Sequence, residues 1–365
     1  MKVFTDCKYY IGEKPCKFKI ACEKSCPYYE PIDKVILIIK LGALGDVIRT
    51  TPVLRKLKKK FHNSYILWLT RDNALPLLKN DFVNKVLPLN WQSVEYLKSI
   101  TFDYLFCFDK DDVAIALSRS LKAKVKRGFI ANDLGKLDVT DENSLYALRL
   151  GIDDELKFKK NRKTYQEIIF EQIGEKFEGE EYVLPYIEKN KYFLKKWNIK
   201  PYEKIIGINI GCGEKFPTKD WGKEKYAALI ELLLKNNYRP LILAGPDDEK
   251  TYSFLWEKYK NSNVIFSGVN NSLPEYMSII KIANVIVTSD TLTLHLAIGL
   301  KVKNISLFGP TAPWEIETYN TGVKIFKSLP CAPCYKKYCE SHECMKIITT
   351  QEVFEKIKKI IEEKN

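Results

Sequence analysis

The sequence has 365 residues, of which 45% are hydrophobic and 29% are charged, which is typical of a globular protein and too long for one ordinary α/β core. Its longest apolar runs, such as residues 35–39, are far shorter than the roughly 20 residues of a membrane-spanning helix, which excludes such a span. The net charge is +13, with most of the excess in residues 1–200, and this indicates either an anionic partner or a well-solvated basic surface.

The first half of the chain alternates strands and helices after a leader at residues 1–32, which is rich in Cys, Lys and Tyr and shows little periodicity. A β-branched run at 34–40 predicts a buried parallel strand. A tight GALG turn joins it to a helix over 46–61, which Pro52 should kink or restart. Further strands are expected at 65–69, 83–87 and 102–108, with helices at 91–100 and 113–121. The alternation predicts a parallel sheet in a first Rossmann-like domain over 33–184.

The same alternation restarts after a Pro-containing linker over 185–203. Strands are expected at 204–210, 240–244, 285–288 and 304–308 and around Ile265, with helices at 223–236, 247–260 and 291–300 and one opened by Ser272. This second doubly wound domain, over 204–348, is followed by an amphipathic helix in 349–365. The fold class is therefore α/β, and two such domains leave a cleft between the carboxyl ends of their strands, where we expect ligands to bind.

The glycine turn after the first strand ends in a carboxylate. Its spacing is Gly42-x-x-Gly45 rather than the G-x-G-x-x-G of a dinucleotide site, and Asp46 at the helix start would repel a phosphate. Helix N–H groups and the helix dipole favour the charged form of this carboxylate. It therefore suits a general base that takes a proton from a hydroxyl. The alternative is that Asp46 only caps the helix, and the two roles are compatible.

A glycine-rich loop in the second half is suited to binding phosphate. The strand at 204–210 runs into GCGEKFPTKDW, in which the backbone at Gly211 and Gly213 can approach an anion closely. Lys215 and Lys219 can neutralise a diphosphate leaving group. The alternative is an ordinary βα loop with surface lysines.

The strongest local pattern is the strand-to-helix passage VIVTSDTLTLHLA. Asp290 precedes the helix, and Thr291 at its first turn offers a hydroxyl and an N–H group to phosphate oxygens. His295 lies one turn later on the same face, either as a site residue or as an ordinary structural histidine. The FGPT loop after the next strand adds Gly309 and Thr311 at the same sheet edge.

No residue pattern predicts a catalytic metal. The chain has three histidines, with no Ser-His-Asp order and no metal-binding His pair. Among the carboxylates, the pair Asp109 and Asp111, which flank Lys110 at a strand end, is the exception, because it has the Asp-x-Asp spacing that can bind a divalent ion. We therefore expect catalysis that requires no cofactor, in which Lys side chains and helix dipoles take the place of a metal.

Three motifs in order, GALGDVIRTTP, PTKDW and SDTLTLHLAIG followed by FGPT, resemble glycosyltransferase family 9, the heptosyltransferases of lipopolysaccharide core assembly. The resemblance covers most of residues 34–348. It implies a GT-B fold, with two Rossmann-like domains facing a central cleft, and an inverting transfer from a nucleotide sugar, typically ADP-heptose. It also implies that the first domain binds the acceptor and that the second domain binds the donor.

By the same resemblance, Asp46 matches the general base proposed for the family, and Lys219 matches the lysine that contacts the donor diphosphate. Asp290, Thr291 and His295 match the donor-site motif. The reaction implied is an in-line displacement in which Asp46 deprotonates the acceptor hydroxyl. Lys219, Thr291 and backbone N–H groups then stabilise the departing diphosphate.

The donor-site motif departs from the family pattern at Leu292, where Gly is usual, and this leaves the donor identity open more than the reaction class. The basic first half suits an anionic glycolipid acceptor. No apolar segment of the kind found in signal peptides follows Lys2. We therefore expect a cytoplasmic enzyme with peripheral contact at the cytoplasmic face of the inner membrane and no nucleic-acid partner. The oligomeric state is left open.

Eight of the ten cysteines form two tight groups. The first group is Cys7, Cys16, Cys22 and Cys26, and the second, in the segment 331–344, is Cys331, Cys334, Cys339 and Cys344. Four thiols within about 20 residues can close a tetrahedral metal site, and cytoplasmic disulfides are rare. A structural metal site such as zinc, an iron–sulfur cluster, and free or disulfide-linked cysteines are all open interpretations of each group.

Two other functions fit the same sequence. A nucleotide-sugar epimerase on the same fold would need no acceptor base at the first turn, so substitution of that carboxylate separates it from a transferase. A non-enzymatic, basic, Cys-rich nucleic-acid binder predicts salt-dependent binding to DNA or RNA. The sequence has few basic patches interleaved with aromatic residues that would stack on bases.

Overall fold

The computed structural model describes residues 3–22, 26–213 and 216–363. They form two compact units. Unit 1 contains residues up to 152 together with 166–185, and unit 2 contains 153–165 together with the residues from 186 onward. No helix in the three described stretches is long and apolar enough to cross a membrane. Each unit is built on a six-stranded, mostly parallel sheet, so the prediction of two doubly wound α/β domains is confirmed.

Among its described residues, unit 1 contains six strands and six α-helices. The strands are β1 (Lys34–Ile39), β2 (Ser64–Thr70), β3 (Lys85–Pro88), β4 (Thr101–Cys107), β5 (Lys122–Ala131) and β6 (Leu137–Val139). The helices are α1 (Leu44–Thr50), α2 (Pro52–Lys60), α3 (Trp91–Lys98), α4 (Asp112–Ser120), α5 (Glu142–Arg149) and α6 (Tyr165–Gln172). The sheet order is β3-β2-β1-β4-β5-β6, with β6 antiparallel to β5 and the other pairs parallel.

Strand β1 is the centre of the unit 1 core. Its residues 36–39 are 0% exposed, because a continuous apolar run can be buried on both faces of a parallel sheet. Strand order reverses here, since β2 lies on one side of β1 and β4 on the other. Ile39 pairs with Cys107, so the turns that follow β1 and β4 begin side by side. The carboxyl end of β1 is therefore a switch point of the kind at which α/β sheets bind ligands.

The helix expected over 46–61 begins two residues earlier and is interrupted, as the proline indicated. Helix α1 ends at Thr50, and α2 starts at Pro52, which occupies its first position. Proline has no N–H to donate to the preceding turn, but its fixed φ suits a helix start. The restart is therefore a local consequence of sequence.

In the part of unit 2 that the structure describes there are six strands and seven α-helices. The strands are β7 (Ile205–Asn209), β8 (Arg239–Leu243), β9 (Ile265–Phe266), β10 (Val285–Ser289), β11 (Lys303–Phe308) and β12 (Gly322–Phe326). The helices are α7 (Lys191–Lys196), α8 (Lys223–Lys235), α9 (Glu249–Tyr259), α10 (Leu273–Ile280), α11 (Leu292–Gly299), α12 (Glu343–Lys346) and α13 (Thr350–Glu362). All pairs are parallel in the order β12-β11-β10-β7-β8-β9.

The C-terminal helix α13 is part of the unit 2 core. Its apolar residues recur at helical spacing and are buried in the same cluster as those of α8. The Lys225 ammonium of α8 donates to the carbonyl oxygens of Met345, Lys346 and Ile348, at 2.9, 2.5 and 2.7 Å. These bonds fix the segment that leads into α13.

Residues 153–165 belong to unit 2 although they lie within the first half of the sequence. Phe158 stacks on Tyr335 with ring centroids 5.5 Å apart, and Lys159 donates to the carbonyl oxygen of Pro330 at 2.9 Å. The Arg162 guanidinium lies 4.4 Å from the ring centroid of Trp314. The chain therefore enters unit 2 once before it returns to unit 1.

Lys58 gives the stability of unit 1 a pH dependence. Its ammonium donates to the carbonyl oxygen of Ser64 at 2.6 Å and to Asn84 Oδ1 at 3.3 Å, and burial together with nearby Lys8 lowers its pKa to about 8 from 10.5. Between those two values the unfolded chain binds more protons than the folded chain, so this group makes the fold more stable as the pH rises from 8 to 10.5.

We therefore expect the stability of the wild type to rise more, or to fall less, between pH 7 and pH 10 than that of Lys58→Met. Urea unfolding at each pH measures the two slopes. Lys59→Met, at an exposed position on the same helix, is the matched control and should keep the wild-type slope. Equal slopes in wild type and Lys58→Met would contradict the assignment.

Candidate functional site

Asp46 lies in the first turn of α1, directly after the turn that follows β1. The N-cap of α1 is Ala43, so the interpretation of Asp46 as the cap is wrong. Its side chain is 40% exposed, and one carboxylate oxygen lies 3.6 Å from Nη1 of Arg49, one turn further along. The helix dipole favours a negative charge at this position. Asp46 therefore offers an accessible, oriented carboxylate at the switch point of unit 1.

Asp109 and Asp111, at the end of β4, have separate structural roles. Asp109 Oδ2 accepts hydrogen bonds from the backbone N–H groups of Leu41 and Gly42 at 2.9 and 3.2 Å, and it lies 3.3 Å from Lys40 Nζ. Asp111 caps α4 by accepting from the backbone of that helix. The two carboxylates are therefore occupied by different partners.

In unit 2, Lys219 and Asp290 lie together at the carboxyl ends of β7 and β10. The Lys219 ammonium donates to the carbonyl oxygen of Asp290 at 2.8 Å and lies 3.4 Å from its Oδ2. Their side chains are 15% and 14% exposed. Ser289 Oγ donates to the carbonyl oxygen of Lys219 at 2.7 Å. Two loops identified separately in the sequence are thus hydrogen-bonded to each other.

His295 lies on the other side of Asp290. Its Nε2 is 3.9 Å from Asp290 Oδ1, and the residue is 4% exposed. Thr291 is the N-cap residue of α11, and its hydroxyl lies 3.1 Å from that of Thr288. The structure therefore brings together four predicted site residues: Lys219, Asp290, Thr291 and His295.

Asn209, the last residue of β7, was missed by the sequence analysis. Its amide nitrogen donates to the Gly211 carbonyl oxygen at 2.7 Å and to the Thr291 hydroxyl at 3.3 Å. Its amide oxygen accepts from the hydroxyls of Thr293 and Tyr276 at 3.0 and 3.3 Å. A buried polar residue at the end of an apolar strand was the available signal, because such a group needs partners.

The loop after β7 packs closely against a carboxylate side chain. A Cβ at Gly211 would lie 2.1 Å from Asp248 Oδ2, so a larger residue there would displace this carboxylate. Burial raises the pKa of Asp248, whose Oδ2 accepts from the Gly245 N–H at 2.7 Å. Gly213 has a φ of +71°, which favours glycine. Lys215 lies outside the described residues, so phosphate contact by this loop stays a prediction.

The FGPT loop after β11 packs against the C-terminal cysteine segment. A Cβ at Gly309 would be 2.6 Å from Met345 Sδ and 2.9 Å from Cys344 Sγ. The Pro310 carbonyl oxygen accepts from the N–H of Cys334 at 2.9 Å. Thr311 is 1% exposed, and its hydroxyl has no hydrogen-bond partner among the described residues. The FGPT loop is therefore rigidly supported, with one polar group available.

The cysteine segment also contacts the PTKDW loop. Thr218 Oγ1 donates to the carbonyl oxygen of Lys336 at 2.6 Å, and the carbonyl oxygen of Thr218 lies 2.5 Å from His342 Nε2. The Trp221 indole donates to the Ile348 carbonyl oxygen at 3.0 Å. The segment thus supports the loop that presents Lys219.

None of the eight grouped cysteines, all of which lie in the described part of the chain, forms a disulfide. In the first group, burial and the Cys16, Cys26 and Cys7 thiols raise the pKa of Cys22. In the second group, burial and the other three thiols raise the pKa of Cys344 to about 11. Across the part of the chain that the structure describes, no three His, Cys, Asp or Glu side chains are arranged to hold a metal ion. Metal binding at the cysteines stays a prediction.

The chain is similar to proteins of one known family. Residues 175–345 match the model of glycosyltransferase family 9 (heptosyltransferase). Lipooligosaccharide heptosyltransferase 2 of Campylobacter jejuni is 23% identical over 335 residues, which cover 87% of this chain and 96% of the relative.

Two solved structures share the fold over nearly their whole length. A glycosyl transferase family 9 protein of Veillonella parvula has a TM-score of 0.72 at 17% identity. The matched region covers 91% of this chain and 98% of the Veillonella chain. The ADP-heptose lps heptosyltransferase II of E. coli has a TM-score of 0.67 at 16% identity, and the matched region covers 90% of this chain and 99% of the E. coli chain. The family match over residues 175–345 and the curated relatives support a glycosyltransferase that is similar to the heptosyltransferases of family 9, and the two solved structures share its fold.

Proposed function

We propose that this enzyme transfers a heptose from ADP-heptose to a hydroxyl of a lipopolysaccharide-core or related glycan, with inversion and without a metal ion in the chemical step. The observations behind the proposal are two groups of opposite charge, one at the switch point of each unit. Unit 1 offers the accessible Asp46 carboxylate, and unit 2 offers the Lys219 ammonium beside the start of α11. The names of the relatives and of the shared-fold structure support the sugar and the nucleotide.

In the proposed reaction, Asp46 takes the proton of the acceptor hydroxyl. The acceptor oxygen attacks the anomeric carbon of the heptose from the face opposite the diphosphate. The bond from that carbon to the diphosphate oxygen breaks, and ADP leaves with the electron pair. Arg49, 3.6 Å from Asp46, orients the carboxylate for this proton transfer.

Lys219 supplies positive charge to the departing diphosphate. An ammonium has three N–H donors, and the carbonyl and carboxylate of Asp290 occupy two of them. The third can donate to a phosphate oxygen. The first N–H groups of α11, after Thr291, add the positive end of a helix dipole. The buried Thr311 hydroxyl is a further candidate for a donor contact.

The acceptor is proposed to be an anionic glycolipid, reached by peripheral contact with the inner membrane. The support for this is the excess of Lys and Arg in residues 1–200, which carry most of the net charge of +13 and belong to both units. Basic surfaces attract anionic lipids and steer anionic ligands.

A thermal-shift comparison of nucleotides tests the donor. We expect ADP to raise the melting temperature more than UDP or GDP, since ligand at 100 times its Kd stabilises a fold by about 2.7 kcal/mol. AMP, which lacks the second phosphate, is the control for diphosphate recognition and should have a smaller effect. Preferential stabilisation by UDP or GDP would contradict the ADP-heptose donor while leaving the family assignment intact.

A further inference from the structure

We propose that Asp109 is a positioning residue for the reaction, which holds the turn before α1 and so sets the location of the Asp46 carboxylate. The inference rests on the proposed role of Asp46 as the base. Asp109 and the turn it holds are 67 to 69 residues apart in sequence, and they meet because β1 and β4 are neighbours.

One oxygen of Asp109 binds three successive residues. Asp109 Oδ2 accepts from the N–H groups of Leu41 and Gly42, at 2.9 and 3.2 Å, and pairs with the Lys40 ammonium at 3.3 Å. The backbone beneath is fixed as well, since the Phe108 N–H donates to the carbonyl oxygen of Ile39 at 3.0 Å. Movement of the turn would therefore break several bonds at once.

The first turn of α1 has no side-chain cap of its own. Its N-cap is Ala43, which makes no side-chain hydrogen bond. Ser, Thr, Asp and Asn are preferred at this position because their side chains accept a hydrogen bond from the first turn. Here the fixed point is the preceding turn, which Asp109 holds, and Asp46 follows Gly42 by only four residues. The position of the base thus depends on a carboxylate from another strand.

The Asp109–Lys40 pair is suited to holding this turn firmly. The two side chains are 16% and 7% exposed. Burial acts to raise the pKa of Asp109, but the Lys40 ammonium and the N–H groups of Leu41 and Gly42 outweigh it and hold the pKa below its usual value. A charged acceptor makes stronger hydrogen bonds than a neutral one. The Asp109 carboxylate therefore stays charged and keeps its hydrogen bonds across the pH range in which the base must act.

The test compares four variants in the full-length enzyme. Asp109→Ala removes the acceptor, and we expect kcat to fall by roughly 10²-fold, the scale expected for a reacting group displaced by about 1 Å. Lys40→Met leaves the two backbone N–H bonds to Asp109 in place and should lower kcat much less. Asp111→Asn, at a neighbouring carboxylate that caps α4, is the matched control and should keep wild-type kcat. If Asp109→Ala does not fold, the double variant Lys40→Met/Asp109→Leu replaces it, because this variant leaves no unpaired charge buried at the turn.

Two readouts separate positioning from a merely structural role. ADP binding shows that unit 2 is folded, and slow hydrogen exchange of the amides of β1 shows that unit 1 is folded. We expect the Kd and stoichiometry for ADP and the slow exchange of β1 to be unchanged while kcat per ADP site falls. Hydrogen exchange of the amides of Leu41 and Gly42 should become faster in Asp109→Ala and stay slow in Asp46→Asn.

The outcomes distinguish this inference from the proposed function. Wild-type kcat per ADP site in the Asp109 variants, or unchanged exchange at Leu41 and Gly42, would overturn the positioning role alone. Wild-type turnover in Asp46→Asn would overturn the base, and with it the inference that depends on it. Loss of turnover in Asp46→Asn, together with faster exchange and lower kcat in Asp109→Ala, would support both.

Discussion

Replacement of Asp46 by Asn is expected to lower kcat by about 10²- to 10⁴-fold, the usual contribution of a general base. The amide keeps the shape of the side chain but cannot accept the proton of the acceptor hydroxyl. Because the proposed donor groups lie in unit 2, the affinity for ADP should not change. Steady-state transfer assays and ADP titration measure the two quantities. A transferase that loses turnover but keeps donor binding is also distinguished from an epimerase, which needs no base at this turn.

The control for this experiment is Asp112→Asn. Asp112 occupies the first turn of α4 in the same unit and is exposed. Like Asp46 it lies in the first turn of its helix, but it does not follow β1, so its substitution should leave kcat unchanged. Equal losses in both variants would show that a charge in a first turn matters only for stability, and retained turnover in Asp46→Asn would remove the proposed base.

Replacement of Lys219 by Met is expected to weaken ADP binding and to lower kcat by about 10²- to 10³-fold, the scale seen when one donor to a developing negative charge is removed. The physical reason is that charge collects on the diphosphate as the bond to the sugar breaks. Lys219→Arg keeps the charge but changes the geometry, so its kcat and its affinity for ADP should lie between those of Lys219→Met and the wild type. Transfer kinetics and calorimetric titration with ADP provide the measurements.

Lys223→Met is the matched control for Lys219. Lys223 lies four residues further along, at the start of α8, and its side chain is 50% exposed. If binding depended only on the general positive charge of the region, both substitutions would weaken ADP binding equally. We expect Lys223→Met to bind ADP as the wild type does, and an equal effect would contradict a specific contact by Lys219.

Much of the fold could be predicted from local sequence. Strand β1 is a short, unbroken apolar run rich in β-branched residues, and such a run is typical of a buried parallel strand. Pro52 restarts the helix for a reason internal to the residue. In contrast, β5 alternates Lys with apolar residues and is only partly buried over most of its length, and neither it nor β6 was predicted. A strand at the end of a parallel sheet has weaker burial and therefore a weaker pattern.

The candidate site was predictable residue by residue but not as an assembly. Asp46, Lys219, Asp290 and His295 follow strands, and the carboxyl ends of strands are where α/β proteins place site residues. Their partners could not be read from the same pattern. Asn209 joins β7 to α11 through residues about 80 positions away, and Ser289 bonds to the Lys219 carbonyl oxygen 70 positions away. Such contacts follow from strand order, which local periodicity does not encode.

The sequence by itself determined the α/β class, the two doubly wound units and the loops that present Asp46 and Lys219, because hydrophobic period, proline and glycine act within a few residues of where they stand. Only the tertiary structure decided that Asp109 holds the turn before Asp46, that residues 153–165 pack with unit 2, and that Ala43 rather than Asp46 caps α1. These features depend on which strands become neighbours, and burial of the whole core, rather than any local preference, sets that order.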